Sequence, residues 1–344
     1  MTAPELRSEW QQAGAPWLAG VRARLAEAVQ QERLPHALLF IGQEGAGQAG
    51  LAAWTAGLLL CIAGGDEPCG NCADCALLLA GTHPDFHRVG IEEEATAIRV
   101  EQIRDLAEAL GTRSYRGRRK VAMIDPADEM NINSFNALLK TLEEPPDQTM
   151  LLLTASRADR LPATIRSRCS RQQLPLPTSA AALEWLRRQR PRDDWERLLV
   201  LAQGAPFLAL EHAAAGIADL DTDMDNTVAA GWQAPLDVVG LADSWRADRP
   251  ELRLRWLELW LAGRLRMASV SSDAVNNNRR SGLPPGHDPT MMATGYRLLD
   301  RLREARRRAG GPLNLQLLLE DVLVDLAEWM RRGAWRARSN PSKN

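Results

Sequence analysis

Short apolar runs alternate with amphipathic stretches through the first half of the chain. Leu18, Val21, Leu25 and Val29 recur at helical spacing within residues 17–33. Ala37–Ile41 (ALLFI) is a continuous apolar run of strand length that ends in a glycine-rich turn, Gly42-Gln43-Glu44-Gly45-Ala46-Gly47. Leu51–Leu60 then reads as a helix. Phe86–Val89 is a candidate strand, Val100, Ile103, Leu106 and Leu110 mark a helix, and Val121–Ile124 is a buried strand ending in Asp125. Ile132, Phe135, Leu138, Leu139 and Leu142 line one helix face, stopped by Pro145-Pro146. Met150–Thr154 and Gln172–Leu174 supply two further strands. Strands that alternate with helices predict a parallel sheet with helices on both faces.

Pro175-Leu176-Pro177 ends this alternation. Residues 179–214 read as short helices and 225–335 as longer ones, and eight of the eleven tryptophans follow residue 180. Core packing is the commoner use of such tryptophans, with an interface as the other. Residues 268–290 are rich in Ser, Asn, Gly and Pro and predict a mobile loop; a disordered tail is expected over 336–344. The expected organisation is an α/β domain over 1–177, a small helical domain over 178–215 and a helical domain over 216–335.

With 45% hydrophobic and 25% charged residues, the chain has the composition of an ordinary soluble globular protein. No apolar run approaches the length needed to cross a bilayer, so no membrane association is expected. Met1 to Glu9 carries acidic residues and no apolar h-region, so a cytoplasmic address is expected. The net charge of −2 argues against a dedicated nucleic-acid binder. Only Lys120, Lys140 and Lys343 are lysines; nearly all positive charge is arginine.

The glycine turn has the frame of a phosphate-binding loop, G-x-x-x-x-G-K-[ST], in which the Lys neutralises phosphate charge and the hydroxyl holds Mg²⁺. Gly42, Gly45 and Gly47 keep the frame, but Gln48 stands at the Lys position and Ala49 at the Ser/Thr position. A lysine drifting under this chain's coding bias would have become arginine, so Gln48 is a chemical loss. Asp125 ends a strand where such proteins hold Mg²⁺. Pro126 follows where a glutamate orienting the attacking water would stand, with Asp128 and Glu129 close by but out of that position. The plainer readings are a bare glycine turn and a turn aspartate.

Cys61, Cys69, Cys72 and Cys75 lie within fifteen residues. In a reducing compartment this spacing points to a metal rather than disulfides. Four thiolates suit a closed tetrahedral Zn²⁺ site of structural type, with Pro68, Gly70 and Asn71 fitting the turns. His83 or His87 could replace Cys61, a [4Fe–4S] cluster is the rival metal, and four reduced, unliganded cysteines are the plainest alternative. Cys169, the fifth, reads as a small buried side chain.

Asn133-Ser134-Phe135-Asn136-Ala137-Leu138-Leu139-Lys140-Thr141-Leu142-Glu143-Glu144-Pro145-Pro146 resembles the NALLKTLEEPP signature of bacterial clamp-loader subunits, members of the AAA+ class. Leu161-Pro162-Ala163-Thr164-Ile165-Arg166-Ser167-Arg168-Cys169 is similar to that family's LP-x-T-I-x-SRC motif. The resemblance spans residues 17–215; beyond it only size and helical character match. It implies an α/β P-loop AAA+ core, a parallel sheet with helices on both faces, followed by an all-α lid and an all-α C-terminal collar domain. Two kinds of subunit in this family share the zinc module and the SRC motif: gamma/tau hydrolyses ATP, and the other does not bind it productively. Gln48, Ala49 and Pro126 depart from the ATPase pattern. So do Ala155, at the place of a polar sensor, and Phe207, at the place of a second sensor arginine. The resemblance therefore implies a non-hydrolysing subunit with structural Zn²⁺ and no productive ATP binding. Arg168 would serve as an arginine finger in trans, against the plainer role of a surface residue capping a helix. The implied partners are gamma/tau and delta subunits in a hetero-pentameric ring, with the sliding clamp and primer-template DNA met through the assembly during replication. No polymerase active site is visible. The alternatives are an active gamma/tau-type ATPase and a zinc-bearing DNA-binding module; between Cys61 and His87 the only basic groups are His83 and His87.

Overall fold

The computed structural model describes residues 3–92, 95–192, 194–271, 289–309 and 314–339. The first part runs α1 (Ala3–Ala13), α2 (Ala19–Gln30), β1 (Ala37–Ile41), α3 (Gln48–Leu60), α4 (Ala73–Leu79), β2 (Phe86–Val89), α5 (Val100–Gly111), β3 (Lys120–Ile124), α6 (Ile132–Glu143), β4 (Thr149–Ala155), α7 (Ala163–Arg166) and β5 (Ser170–Gln173). The second is helical: α8 (Ser179–Gln189), α9 (Trp195–Leu201), α10 (Pro206–Ala215), α11 (Ile217–Gln233), α12 (Val238–Ala247), α13 (Pro250–Ser271), α14 (Pro289–Arg308) and α15 (Leu315–Ser339).

The strands form one parallel sheet in the order β2-β3-β4-β1-β5. Central β1, β3 and β4 are apolar along nearly their whole length, because helices cover both faces of a parallel sheet. Edge strand β5 instead alternates half-buried and exposed residues and begins at Ser170, two positions before the expected start. One core cluster joins Leu39, Ile124, Leu151 and Leu153 of the sheet to Ile103 and Leu106 of α5 and to Phe135 and Leu138 of α6. Ile132 departs from the expected apolar face of α6: it sits in the first turn, 73% exposed, just after the cap in which Asn131 Oδ1 accepts from the Ser134 amide. Lys120 is buried and donates to the carbonyls of Leu110 and Thr112, closing the C-terminal end of α5.

Helix α1 has no counterpart among the elements expected from the sequence. Its apolar positions are sparse, and what holds it is tertiary: the Trp10 indole donates to Ala53 O at 2.9 Å and lies over Gly57 of α3. Helix α13 continues to Ser271 and α14 begins at Pro289, inside both ends of the expected loop, and residues 272–288 of that stretch lie outside the described residues. Helix α15 runs to Ser339, past the expected start of the tail at 336.

The chain divides into two compact units: Met1–Ala182 with Ala205–Leu208, and Leu183–Gly204 with Ala209–Asn344. Segment 178–215 is thus divided between them. In the second unit Trp195, Trp245 and Trp256 are fully buried, and Glu258 is buried among Arg255, Arg303 and Arg306. No described helix is long and apolar enough to cross a membrane.

Candidate functional site

The glycine turn leaves β1 at Ile41 and enters α3 through Gly47, whose φ of 106° requires glycine at that cap. Gln48 is 7% exposed, and its amide Nε2 folds back onto the turn, donating to Gly42 O at 2.5 Å and Gln43 O at 3.0 Å. A weaker contact of 3.4 Å reaches Ser156 Oγ, just past Ala155 at the end of β4. The amide ties the loop together where a lysine would carry charge. Ala49 offers no metal ligand. Within the same compact unit, the first turn of α10 closes on the loop. The Phe207 amide donates to Gly45 O at 3.3 Å. The Phe207 ring lies 5.4 Å from that of Trp17, whose indole reaches Ala46 O at 3.4 Å.

Asp125, at the end of β3, is engaged on both oxygens. Arg88 Nη2 meets Oδ2 at 2.5 Å, and the Thr154 hydroxyl donates to Oδ1. The same guanidinium grips Glu9 of α1 with two bonds of 2.8 and 2.9 Å. Burial disfavours the Arg88 charge, but Glu9 and then Asp125 outweigh it and hold the guanidinium firmly protonated. Pro126 follows Asp125. The nearby acids serve elsewhere: Asp128 accepts from the Arg157 amide at 2.7 Å, its carboxyl pushed upward by burial, and Glu129 pairs with Arg160 at 2.7 Å. Arg88, Glu9, Thr154 and Trp17 stand outside the residues that the sequence singles out. The one sequence signal for Arg88 is a formally charged residue inside the short strand β2.

Arg168 follows α7 and precedes β5, 35% exposed at its side chain. Nη1 donates to Thr164 O at 3.0 Å, and Nη2 meets Glu143 Oε1, the last residue of α6, at 2.5 Å. Neither partner belongs to the glycine turn.

The four clustered cysteines converge. Cys61 ends α3, Cys72 caps α4 and Cys75 lies in its first turn. Their sulfurs all lie within 4.8 Å of one another, with Cys61–Cys72 and Cys69–Cys75 both at 3.9 Å. A tetrahedron with Zn–S bonds of about 2.3 Å has edges of about 3.8 Å, so the spacing fits one tetrahedral ion. Backbone amides of Cys69, Cys72 and Cys75 point at the preceding sulfurs of Cys61, Cys69 and Cys72 at 3.3–3.5 Å. Backbone donors, the Asn71 amide first, lower the Cys69 thiol; at Cys72 burial is outweighed by such donors and the thiol falls to about 6, while burial raises Cys75. Neither His83 nor His87 joins the cluster among the described residues. His83 instead sits 3.5 Å from Asp74, which Arg116 also holds. Cys169 packs in the core, and burial pushes its thiol up to about 11.

A parallel sheet, a glycine turn after β1 and an acidic end to β3 define a P-loop-type α/β protein. Residues 19–178 match the family described as DNA polymerase III, delta subunit. The chain is 35% identical over 320 residues to DNA polymerase III subunit delta' of Pseudomonas aeruginosa, covering 91% of this chain and 97% of that one. With the protein of the same name from Haemophilus influenzae it shares 32% identity over 322 residues, 90% and 96% of the two chains. DNA polymerase III subunit tau of Escherichia coli is 39% identical over 150 residues, 43% of this chain and 23% of that one. The chain belongs to the DNA polymerase III subunit delta' family. The similarity is not confined to residues 17–215 but extends into the helical C-terminal third.

Proposed function

We propose that this chain is the non-hydrolysing stator of a clamp-loader assembly that places the sliding clamp on primed DNA. Its partners in this reading are gamma/tau and delta subunits in a hetero-pentameric ring, with residues 1–177 as the AAA+ core, 178–215 as the lid and 216–335 as the collar. The observation that carries the reading is the 2.5 Å pairing of Arg88 with Asp125. The carboxylate that would hold Mg²⁺ already has a cation of the chain's own, and no hydroxyl stands at Ala49 to complete the metal site. Gln48 cannot neutralise phosphate. The chain's contribution is then external: Arg168 reaches a nucleotide held by the neighbouring subunit and stabilises charge developing on its γ-phosphate, an effect worth about 10³–10⁵ in comparable trans arginines. The four cysteines would hold a structural Zn²⁺, a closed site with no position left for substrate.

Titration of the isolated chain with Mg·ATP, followed calorimetrically, should show no saturable binding and no turnover. In the reconstituted assembly Arg168→Ala should slow ATP hydrolysis while the ring still forms on gel filtration. Brisk turnover by the isolated chain would instead establish an active gamma/tau-type ATPase.

A further inference from the structure

The Arg168 guanidinium is gripped from two sides by groups on different elements. Thr164 O, in α7, takes Nη1 at 3.0 Å, and Glu143 Oε1, the final residue of α6, takes Nη2 at 2.5 Å. Among the described residues these are its two partners, and Nε–H and one hydrogen on each terminal nitrogen have none there. An unrestrained surface arginine would sample many rotamers and lose that freedom each time it met a phosphate. Here the freedom is already restricted. Glu143 is anchored at the end of a helix whose Phe135, Leu138 and Leu142 are buried in the core. Its carboxylate is half exposed, so solvent screens its charge and its main effect on the guanidinium is placement.

We propose that Glu143 is a positioning residue for Arg168: it holds the guanidinium in the orientation used on the neighbouring subunit's nucleotide. This rests on the trans role of Arg168 given above. The requirement is an acceptor at Oε1 and not a negative charge, since preorganised donors act by geometry.

The test is steady-state ATP turnover of the reconstituted assembly containing wild type, Arg168→Ala, Glu143→Ala or Glu143→Gln, with assembly checked by gel filtration. The difference between wild type and Arg168→Ala defines the share of kcat that depends on the arginine. Glu143→Ala should cut that share about tenfold with KM unchanged, and Glu143→Gln, which keeps the acceptor, should hold it within about twofold. If Arg168→Ala matches wild type, the trans role itself falls and takes this inference with it. If Arg168→Ala slows turnover but Glu143→Ala leaves it unchanged or speeds it, the positioning role alone is overturned. Equal losses in the Ala and Gln variants would also overturn it, because charge rather than placement would then be the requirement.

Discussion

Leu208 lies directly over Gly45: a Cβ placed on that glycine would come within 2.6 Å of the Leu208 backbone nitrogen. The turn that in a working nucleotide site approaches phosphate is here approached by the start of α10. The φ of 77° at Gly45 adds a second reason for glycine, since a side chain there would be strained as well as crowded. Packing against α10 is thus by itself a reason for glycine at position 45.

Restoring the two lost residues should therefore not restore the site. Gln48→Lys with Ala49→Thr supplies a cation and a hydroxyl, but Asp125 remains paired with Arg88, and Phe207 still packs between Gly47 and Trp17. Calorimetric titration of the double variant with Mg·ATP should show no saturable binding at millimolar nucleotide. Tight binding by this variant would mean that Gln48 and Ala49 were the whole defect.

Removing Arg88 should damage the fold itself. Its guanidinium neutralises both Glu9 and Asp125, and all three side chains are largely buried. Arg88→Ala leaves two carboxylates close together without a cation, a change that costs about 3–5 kcal/mol when one member of a buried ion pair is deleted. Urea unfolding at neutral pH should show this deficit directly. A variant as stable as wild type would show that the two carboxylates are not what the guanidinium serves.

The Arg88 network joins residues that no local sequence pattern links. The sheet was legible because each central strand is a short apolar run, and the cysteine cluster was legible because its ligands are close in sequence. Gln48 and Ala49 stood out because a known spacing frames them. The Glu9–Arg88 pair, in contrast, joins positions 79 apart, and Arg88–Asp125 joins positions 37 apart. No local pattern encodes such pairings, which depend on β2 and β3 lying side by side and on α1 reaching them. Helix α1 escaped for a related reason: it is held by the Trp10 contact with α3 and not by a regular apolar stripe of its own. Glu143 could be read as part of a motif, but its meeting with Arg168 needs the ends of α6 and α7 in place.

The cysteine geometry predicts one equivalent of Zn²⁺ per chain on elemental analysis. Sulfurs within 4.8 Å of one another suit a single ion and leave little room for a four-iron cluster between them. Cys69→Ser and Cys75→Ser should each lower the zinc content and the thermal midpoint, whereas Cys169→Ser should leave the zinc content unchanged, because Cys169 is in the sheet core. A brown, iron-containing protein, or full zinc occupancy in Cys75→Ser, would refute the four-thiolate zinc site.

The second unit should carry a pH-dependent stability of its own at His212. The ring is buried, and neither nitrogen has a hydrogen-bond partner among the described residues. Burial first, and then the Arg255 guanidinium, depress its pKa from 6.5 to about 4, with Glu258 opposing. The unfolded chain thus binds a proton between pH 6.5 and 4 that the folded chain refuses. Stability from this group is complete above about 6.5 and drains away as pH falls toward 4, amounting to about 2 kcal/mol lost at pH 5. His212→Leu, close in volume and unable to ionise, should remove that part of the pH slope. It should also match or exceed wild type at pH 7.5, because a buried N–H without an acceptor goes with it. Urea unfolding followed by tryptophan fluorescence at pH 7.5 and 5.0 reads both effects. Equal slopes for variant and wild type would mean that the imidazole finds a counter-charge or solvent when protonated, and that Arg255 and Glu258 do not seal it as tightly as their packing implies.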